Sequence, residues 1–328
     1  MKNLEKEISE KGFISLNEKG KNLNLVNEIT KLKKEKNAVI LAHYYVDGAI
    51  QDIADFVGDS LALSQKAAVT DADIIVFAGV HFMAETAKIL SPDKKVVLPD
   101  LNAGCSLADS CPEKDFEEFI KAHPDHTVIS YVNTSAGVKA LTDIVCTSSN
   151  AVKIVESVPE EKNIIFGPDR NLGNYISRLT GRKMTIWDGA CHVHNEFSIE
   201  GILEQKKQNP EAEIIAHPEC PKQIITISEF VGSTSALINH TKKSKTKTFI
   251  VATEPGVIHE MKKFSPDKFF IPAPGEDAEC ACSECEFMKL NSIEKLYTCL
   301  KYEKPEIIID EEIRKKAYKP IKRMLDLS

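Results

Sequence analysis

The stretch VILAHYYVDGAIQDIADFVGDSLALSQKAAVTDADIIVFAG (39–79) decides the fold. It holds two apolar runs of strand length, VILAHYY (39–45) and IIVFAG (74–79), separated by a helical stretch that opens on GDS (58–60). Runs rich in Val, Ile and Phe at consecutive positions fit strands buried on both faces. Their alternation with helices implies βαβ units and parallel sheets. The same texture continues outward through KVVLP (95–99), TVISYVN (127–133), NIIFGPD (163–169), MTIWDG (184–189), EIIAHPE (213–219), TFIVAT (248–253) and KFFIPAPG (268–275).

These runs form a repeat. The first strand of each unit ends at His43, Tyr131 or His217, 88 and 86 residues apart. About 17 residues later a small polar cluster opens a helix: GDS (58–60), TSSN (147–150) and GSTS (232–235). A last strand and a cysteine close each unit, at Cys105, at Cys191, and at Cys280, Cys282 or Cys285. The expected fold is α/β: three homologous three-layer units with parallel sheets around a pseudo-threefold axis. In open parallel sheets ligands lie beyond the carboxyl ends of the strands, so the active site is expected at the centre. The units are expected at 1–111 with the N-terminal helices, 112–195 and 196–285, the tail 286–328 joining the first.

Composition bounds the rest. With 328 residues, 42% hydrophobic and 28% charged, the chain can bury a sizeable core. No apolar run approaches the roughly 18 residues of a membrane span. The opening MKNLEKEISEKG is charged, so no signal peptide is expected, and a cytoplasmic location is. A net charge of -7 argues against nucleic-acid partners. The nine cysteines are an odd number, which does not read as a disulfide framework.

Three sets of residues carry candidate chemistry. Cysteines closing three equivalent units would converge, and three thiolates suit a metal that keeps a position for substrate. An iron–sulfur cluster held by three of its usual four cysteines would leave one iron open. The helix-opening Ser60, Ser148, Ser233 and Thr234 are ordinary N-caps taken singly. Three such helix starts aimed at one cavity would bind a polyanion despite the negative net charge. At the strand ends, His43 shares a face with Tyr45, Tyr131 with Asn133 and His217 with Glu219. They are donors and acid–base candidates.

The motifs AHYY (42–45), GDS (58–60), YVNTSA (131–136), CTSSNA (146–151), PDRNLG (168–173), GACHVH (189–194), HPEC (217–220), GSTSALI (232–238) and the 282–291 segment ending in MKLN resemble the quinolinate synthase family. The resemblance runs from about Ala38 to Asn291. It implies a condensing and dehydrating transferase joining iminoaspartate to dihydroxyacetone phosphate, yielding quinolinate, phosphate and water in de novo NAD biosynthesis. It also implies a functional link to the enzyme that makes iminoaspartate, and no membrane partner. The implied cofactor is a [4Fe–4S] cluster with three cysteine ligands and one open iron, acting as a Lewis acid. Carried over, Cys105 and Cys191 match two ligands, and the segment before MKLN points to Cys285 as the third. Family members with a CxxCxxC string can pair its first two cysteines; Cys280-x-Cys282-x-x-Cys285 departs from that spacing. The substrate cavity would be lined by His43, Ser60, Tyr131, Asn133, Ser148, His217, Glu219, Ser233 and Thr234. Glu219, Tyr45, Tyr131 and His217 are the acid–base candidates. His194, in CHVH, matches a family position with no role carried over.

Overall fold

A computed structural model describes residues 2–18, 20–276 and 283–328. The chain is α/β, with three parallel four-stranded sheets. The first holds β1 (Ala38–His43), β2 (Phe56–Gly58), β3 (Ile74–Ala78) and β4 (Lys95–Val97). The second holds β5 (Thr127–Tyr131), β6 (Ile144–Cys146), β7 (Ile164–Gly167) and β8 (Thr185–Ile186). The third holds β9 (Glu213–Ala216), β10 (Phe230–Val231), β11 (Thr248–Ala252) and β12 (Phe269–Pro272). Each is ordered second, first, third, fourth strand of its own unit. The nine apolar runs are all strands. The sequence reading lacked β2, β6 and β10, which have two or three residues and precede the helix-opening clusters directly.

The repeat reaches individual hydrogen bonds. Asp55 accepts from the Ile40 N–H, Asp143 from Val128 and Glu229 from Ile214, at 2.8, 2.8 and 2.7 Å. In each unit an acidic residue just before the second strand ties down the first, at intervals of 88 and 86 residues. A carboxylate holding a backbone amide is a strong, charge-assisted bond and fixes strand register locally.

The first and third strands of each unit are buried on both faces. In the third sheet Ile214, Ala216, Ile250 and Ala252 pack into one core, while Ile215, Phe249 and Val251 pack into another. The first two sheets share one core running from Leu41 and Phe77 through Ile129 and Phe166 to Ile321 and Met324 of the tail. Full burial of one such side chain is worth about 1.5–3 kcal/mol.

The tail joins the first two units. Helix Ile293–Tyr302 packs on helix Leu25–Glu35 and β3, and helix Glu311–Asp326 lies against helices His81–Leu90 and Ala136–Ala140 and strand β6. Between them Glu306 pairs antiparallel with Val97, covering the open edge of β4. Among the described residues no helix is long and apolar enough to cross a membrane.

Candidate active site

The carboxyl ends of all three sheets open on one cavity. Its wall includes His43, Tyr45 and Ser60 from the first unit, Tyr131, Asn133 and Ser148 from the second, and His217, Glu219 and Thr234 from the third. Cys105, Cys191 and Cys285 line it too. Ser233 is the one expected lining residue that does not. Its hydroxyl faces back into its own helix and caps it, accepting from the Ala236 N–H at 3.3 Å.

The helix starts meet through side chains. The Ser149 hydroxyl lies 2.8 Å from Asp59 Oδ2 and 2.9 Å from Ser233 Oγ. Serine has one proton to give, and the carboxylate takes it, so Ser233 donates to Ser149. This chain joins one residue from each unit beneath the cavity. Asp59, an N-cap, and Ser149, one residue before the N-cap Asn150, were not singled out in sequence, because polar residues at a helix start are commonplace.

Each cavity cysteine is the N-cap of a four-residue helix: Cys105 before Ser106–Asp109, Cys191 before His192–Asn195, Cys285 before Glu286–Lys289. Cys285 holds that repeated position in the third unit; Cys280 and Cys282 lie outside the described residues. Burial pushes the Cys105 thiol up to about 12 and Cys285 up to about 11, and raises Cys191 as well. A bound cation reverses this by deprotonating its thiol ligands. The loops also touch: Ser106 Oγ is 2.6 Å from His192 Nδ1, and the His192 ring stands edge-on to Phe287. Three soft donors from three loops, closed over by Ser106, His192 and Phe287, fit an iron–sulfur group.

Glu219, 2% exposed, lies at the junction of the site. Its Oε2 is 2.9 Å from His194 Nδ1, and its Oε1 is 4.0 Å from His217 Nδ1. Burial favours the protonated carboxyl, but the neighbouring His194 and a bond from Tyr131 outweigh it and hold Glu219 down at about 2. His194 Nε2 is 2.9 Å from Thr253 Oγ1, which is 2.8 Å from the Tyr45 hydroxyl. Tyr45 in turn contacts Thr234 Oγ1 at 2.9 Å. An unbroken hydrogen-bonded line therefore runs Glu219, His194, Thr253, Tyr45, Thr234. Burial raises both Tyr45 and Tyr131 well above the usual phenol range, so both are neutral donors.

His43 and His217 are fixed in the same way. Each accepts at Nδ1 from the backbone N–H two residues on, Tyr45 at 3.3 Å and Glu219 at 3.4 Å. An imidazole that accepts at Nδ1 carries its proton on Nε2 and is neutral. Burial accordingly lowers His43 to about 4 and His217 to about 3. His217 Nε2 thus donates to Ser148 Oγ, 3.2 Å away. Asn133 Oδ1 is buried without a hydrogen-bond partner among the described residues. A buried orphan acceptor on a cavity wall costs free energy until a ligand donor meets it.

Two buried acids were missed in sequence, Asp169 and Glu254. Phe166 pairs with Ile129 and Val251 with Ile215 at the same register of their sheets, and each acid stands three residues past that position, so the repeat offset held the signal. Glu254 is raised to about 7 by burial, against the pull of Lys289. A second metal-ligand grouping was also missed: one donor atom each of Cys191, His194 and Glu219 lie within 4.8 Å of one another.

A family model described as quinolinate synthetase A protein matches residues 27–326. The quinolinate synthase of Synechocystis sp. is 61% identical over 305 residues, 93% of this chain and 96% of that protein. That of Microcystis aeruginosa is 60% identical over 305 residues, 93% and 95% of the two chains. That of Synechococcus sp. is 59% identical over 300 residues, 92% and 94%.

Proposed function

The chain belongs to the quinolinate synthetase A family, and from that premise we propose that it is a quinolinate synthase of NAD biosynthesis. It condenses iminoaspartate with dihydroxyacetone phosphate to quinolinate, phosphate and two waters. Its cofactor is a [4Fe–4S] cluster on Cys105, Cys191 and Cys285. The observation that carries the reading is the convergence of these three repeat-equivalent cysteines on a cavity that also holds anion-binding hydroxyls and a buried acid–base line.

The substrates bring a phosphate and two carboxylates. Thr234 and Ser60 open two ten-residue helices on the cavity wall, and with Ser148 they offer hydroxyls at positive dipole ends. Asn133 Oδ1 accepts from a substrate hydroxyl or imine N–H. His43 and His217, held neutral, bind without adding charge. Fixing two small reactants against each other supplies much of the rate.

When bound, the cluster supplies a Lewis-acidic iron that polarises a substrate oxygen and stabilises departing hydroxide. The overall conversion balances without oxidant or reductant, so no electron carrier is required. Glu219, ionised, takes protons from carbon beside a carbonyl or imine. Tyr45, a neutral phenol, donates to a leaving oxygen, and the His194–Thr253 pair links the two so that a proton moves between them without bulk water. Tyr131 and His217 flank Glu219 and set the direction in which it accepts.

A second reading is favoured by the compact Cys191–His194–Glu219 group: a single divalent metal serving a hydro-lyase. It leaves Cys105 and Cys285 without a role. Anaerobically prepared protein should form quinolinate from the two substrates, and Cys105→Ser or Cys285→Ser should abolish it. Full activity in both variants would favour the mononuclear site and refute the cluster assignment.

A further inference from the structure

We propose that Asp169 and Glu254 are positioning residues that aim two of the three cluster-binding cysteines. The proposal rests on the ligand set proposed above. Each acid lies two residues beyond the third strand of its unit, β7 ending at Gly167 and β11 at Ala252. Both are fully enclosed, at 0% exposure. Each accepts a hydrogen bond from the backbone N–H of the cysteine that closes its own unit: Cys191 N to Asp169 Oδ2 at 3.2 Å, and Cys285 N to Glu254 Oε1 at 3.4 Å.

The remaining bonds anchor the acids. Asp169 Oδ1 caps its helix by accepting from Leu172 N at 2.7 Å. Elsewhere a serine suffices for that task, as at Ser135, Ser198 and Ser233. A serine has one oxygen; the aspartate's second oxygen is the one that holds Cys191. No Lys or Arg pairs with Asp169 among the described residues, and burial raises its carboxyl well above the usual range, so the acid is held there by backbone N–H groups alone. Enclosing an acid is costlier than enclosing a serine hydroxyl, and a second oxygen in use is what distinguishes it from the cheaper cap. Glu254 Oε2 accepts from Gly256 N at 2.7 Å, and Oε1 also takes Lys289 Nζ at 2.9 Å. Lys289 donates onward to the Tyr45 carbonyl at 2.9 Å, tying the Cys285 loop to the substrate wall.

Holding the N–H of an N-cap residue restrains its backbone and narrows the directions its Cα–Cβ bond can take, so the sulfur is left only its staggered χ1 positions. The first unit has Val80 at the corresponding place and secures its loop through the backbone, His81 N donating to Ala103 O at 2.7 Å. The device therefore serves two cysteines of three. Outer partners of metal ligands are typically worth about 10–100-fold in metal affinity.

The test uses the full chain in two forms. In the metal-free protein, iodoacetamide labelling is read peptide by peptide. Asp169→Asn should speed labelling of Cys191 and leave Cys285 unchanged; Glu254→Gln should do the reverse. Asp169→Ser keeps the helix cap and drops the second oxygen, so it separates aiming from folding. In the iron-loaded protein each variant should release iron to a chelator about tenfold faster than wild type. Asp143→Asn, which loosens the Val128 amide and bonds none of the three cavity cysteines, should match wild type in the labelling of Cys191 and Cys285 and in iron release. Labelling rates equal to wild type, or all thiols rising together, overturn the proposal. Wild-type protein that takes up no iron contradicts the cluster reading and overturns this proposal with it. Loaded wild type with unaltered variants contradicts the positioning role alone.

Discussion

Acidification should destabilise the protein through two particular imidazoles, and the size follows from their surroundings. His43 and His217 each use Nδ1 as an acceptor for a backbone N–H, so protonation removes that bond and places a charge in an enclosed site. Their folded values, about 4 and about 3, lie below the unfolded value near 6.5. Between these limits the unfolded chain binds more protons, so stability is fully present above about pH 6.5 and falls as pH drops towards 4 and 3. Going from pH 7 to pH 5 costs about 2 kcal/mol per imidazole, together a large share of an ordinary stability of about 5–15 kcal/mol. Glu254 acts in the opposite sense. Its folded value of about 7 lies above the unfolded one, so it gains about 2 kcal/mol over the same range. Glu219, held at about 2, stays ionised throughout. The readout is therefore a difference between proteins, not the raw pH curve. Urea unfolding of metal-free wild type, His43→Asn and His217→Asn at pH 7 and pH 5 should show each variant losing about 2 kcal/mol less than wild type. Equal losses in all three would refute the claim that these rings are buried neutral.

Three further outcomes bear on the acid–base line. Glu219→Gln should keep iron content and lower kcat by about 100- to 10,000-fold, the usual range for general acid–base catalysis; near-normal turnover would remove its role. Thr253→Val keeps shape but cuts contacts of 2.8 and 2.9 Å to Tyr45 and His194. It should lower kcat with KM little changed, and a pure KM effect would deny proton transfer along the line. Gly256→Ala would put a methyl 2.9 Å from the backbone of Tyr45 and 2.7 Å from Glu254 Oε2. It should cost about 1–3 kcal/mol in stability, measured by urea unfolding, and lower activity as well. Unaltered unfolding and activity would show that the Tyr45 backbone is free to move.

The architecture was legible because burial on both faces writes itself as consecutive Val, Ile and Phe, and because three copies repeat the pattern. Strands β2, β6 and β10 escaped since two or three residues carry no periodicity; their neighbours, not their composition, make them strands. The cavity wall was legible where a residue type was unusual at a strand end, as with His43, Tyr131 and His217. Asp59 and Ser149 were not, because their chemistry arises between units that only folding brings together. Asp169 and Glu254 sit in loops where acids are commonplace, and only their enclosure sets them apart. Ser233 differs from Thr234 by which way one hydroxyl turns at a helix start, a choice that residue type does not encode.

The most direct measurement is the metal content of anaerobically purified protein. With a cluster on Cys105, Cys191 and Cys285, it should give about four iron and about four acid-labile sulfide per chain. Zinc, or a single iron without sulfide, would contradict the cluster assignment.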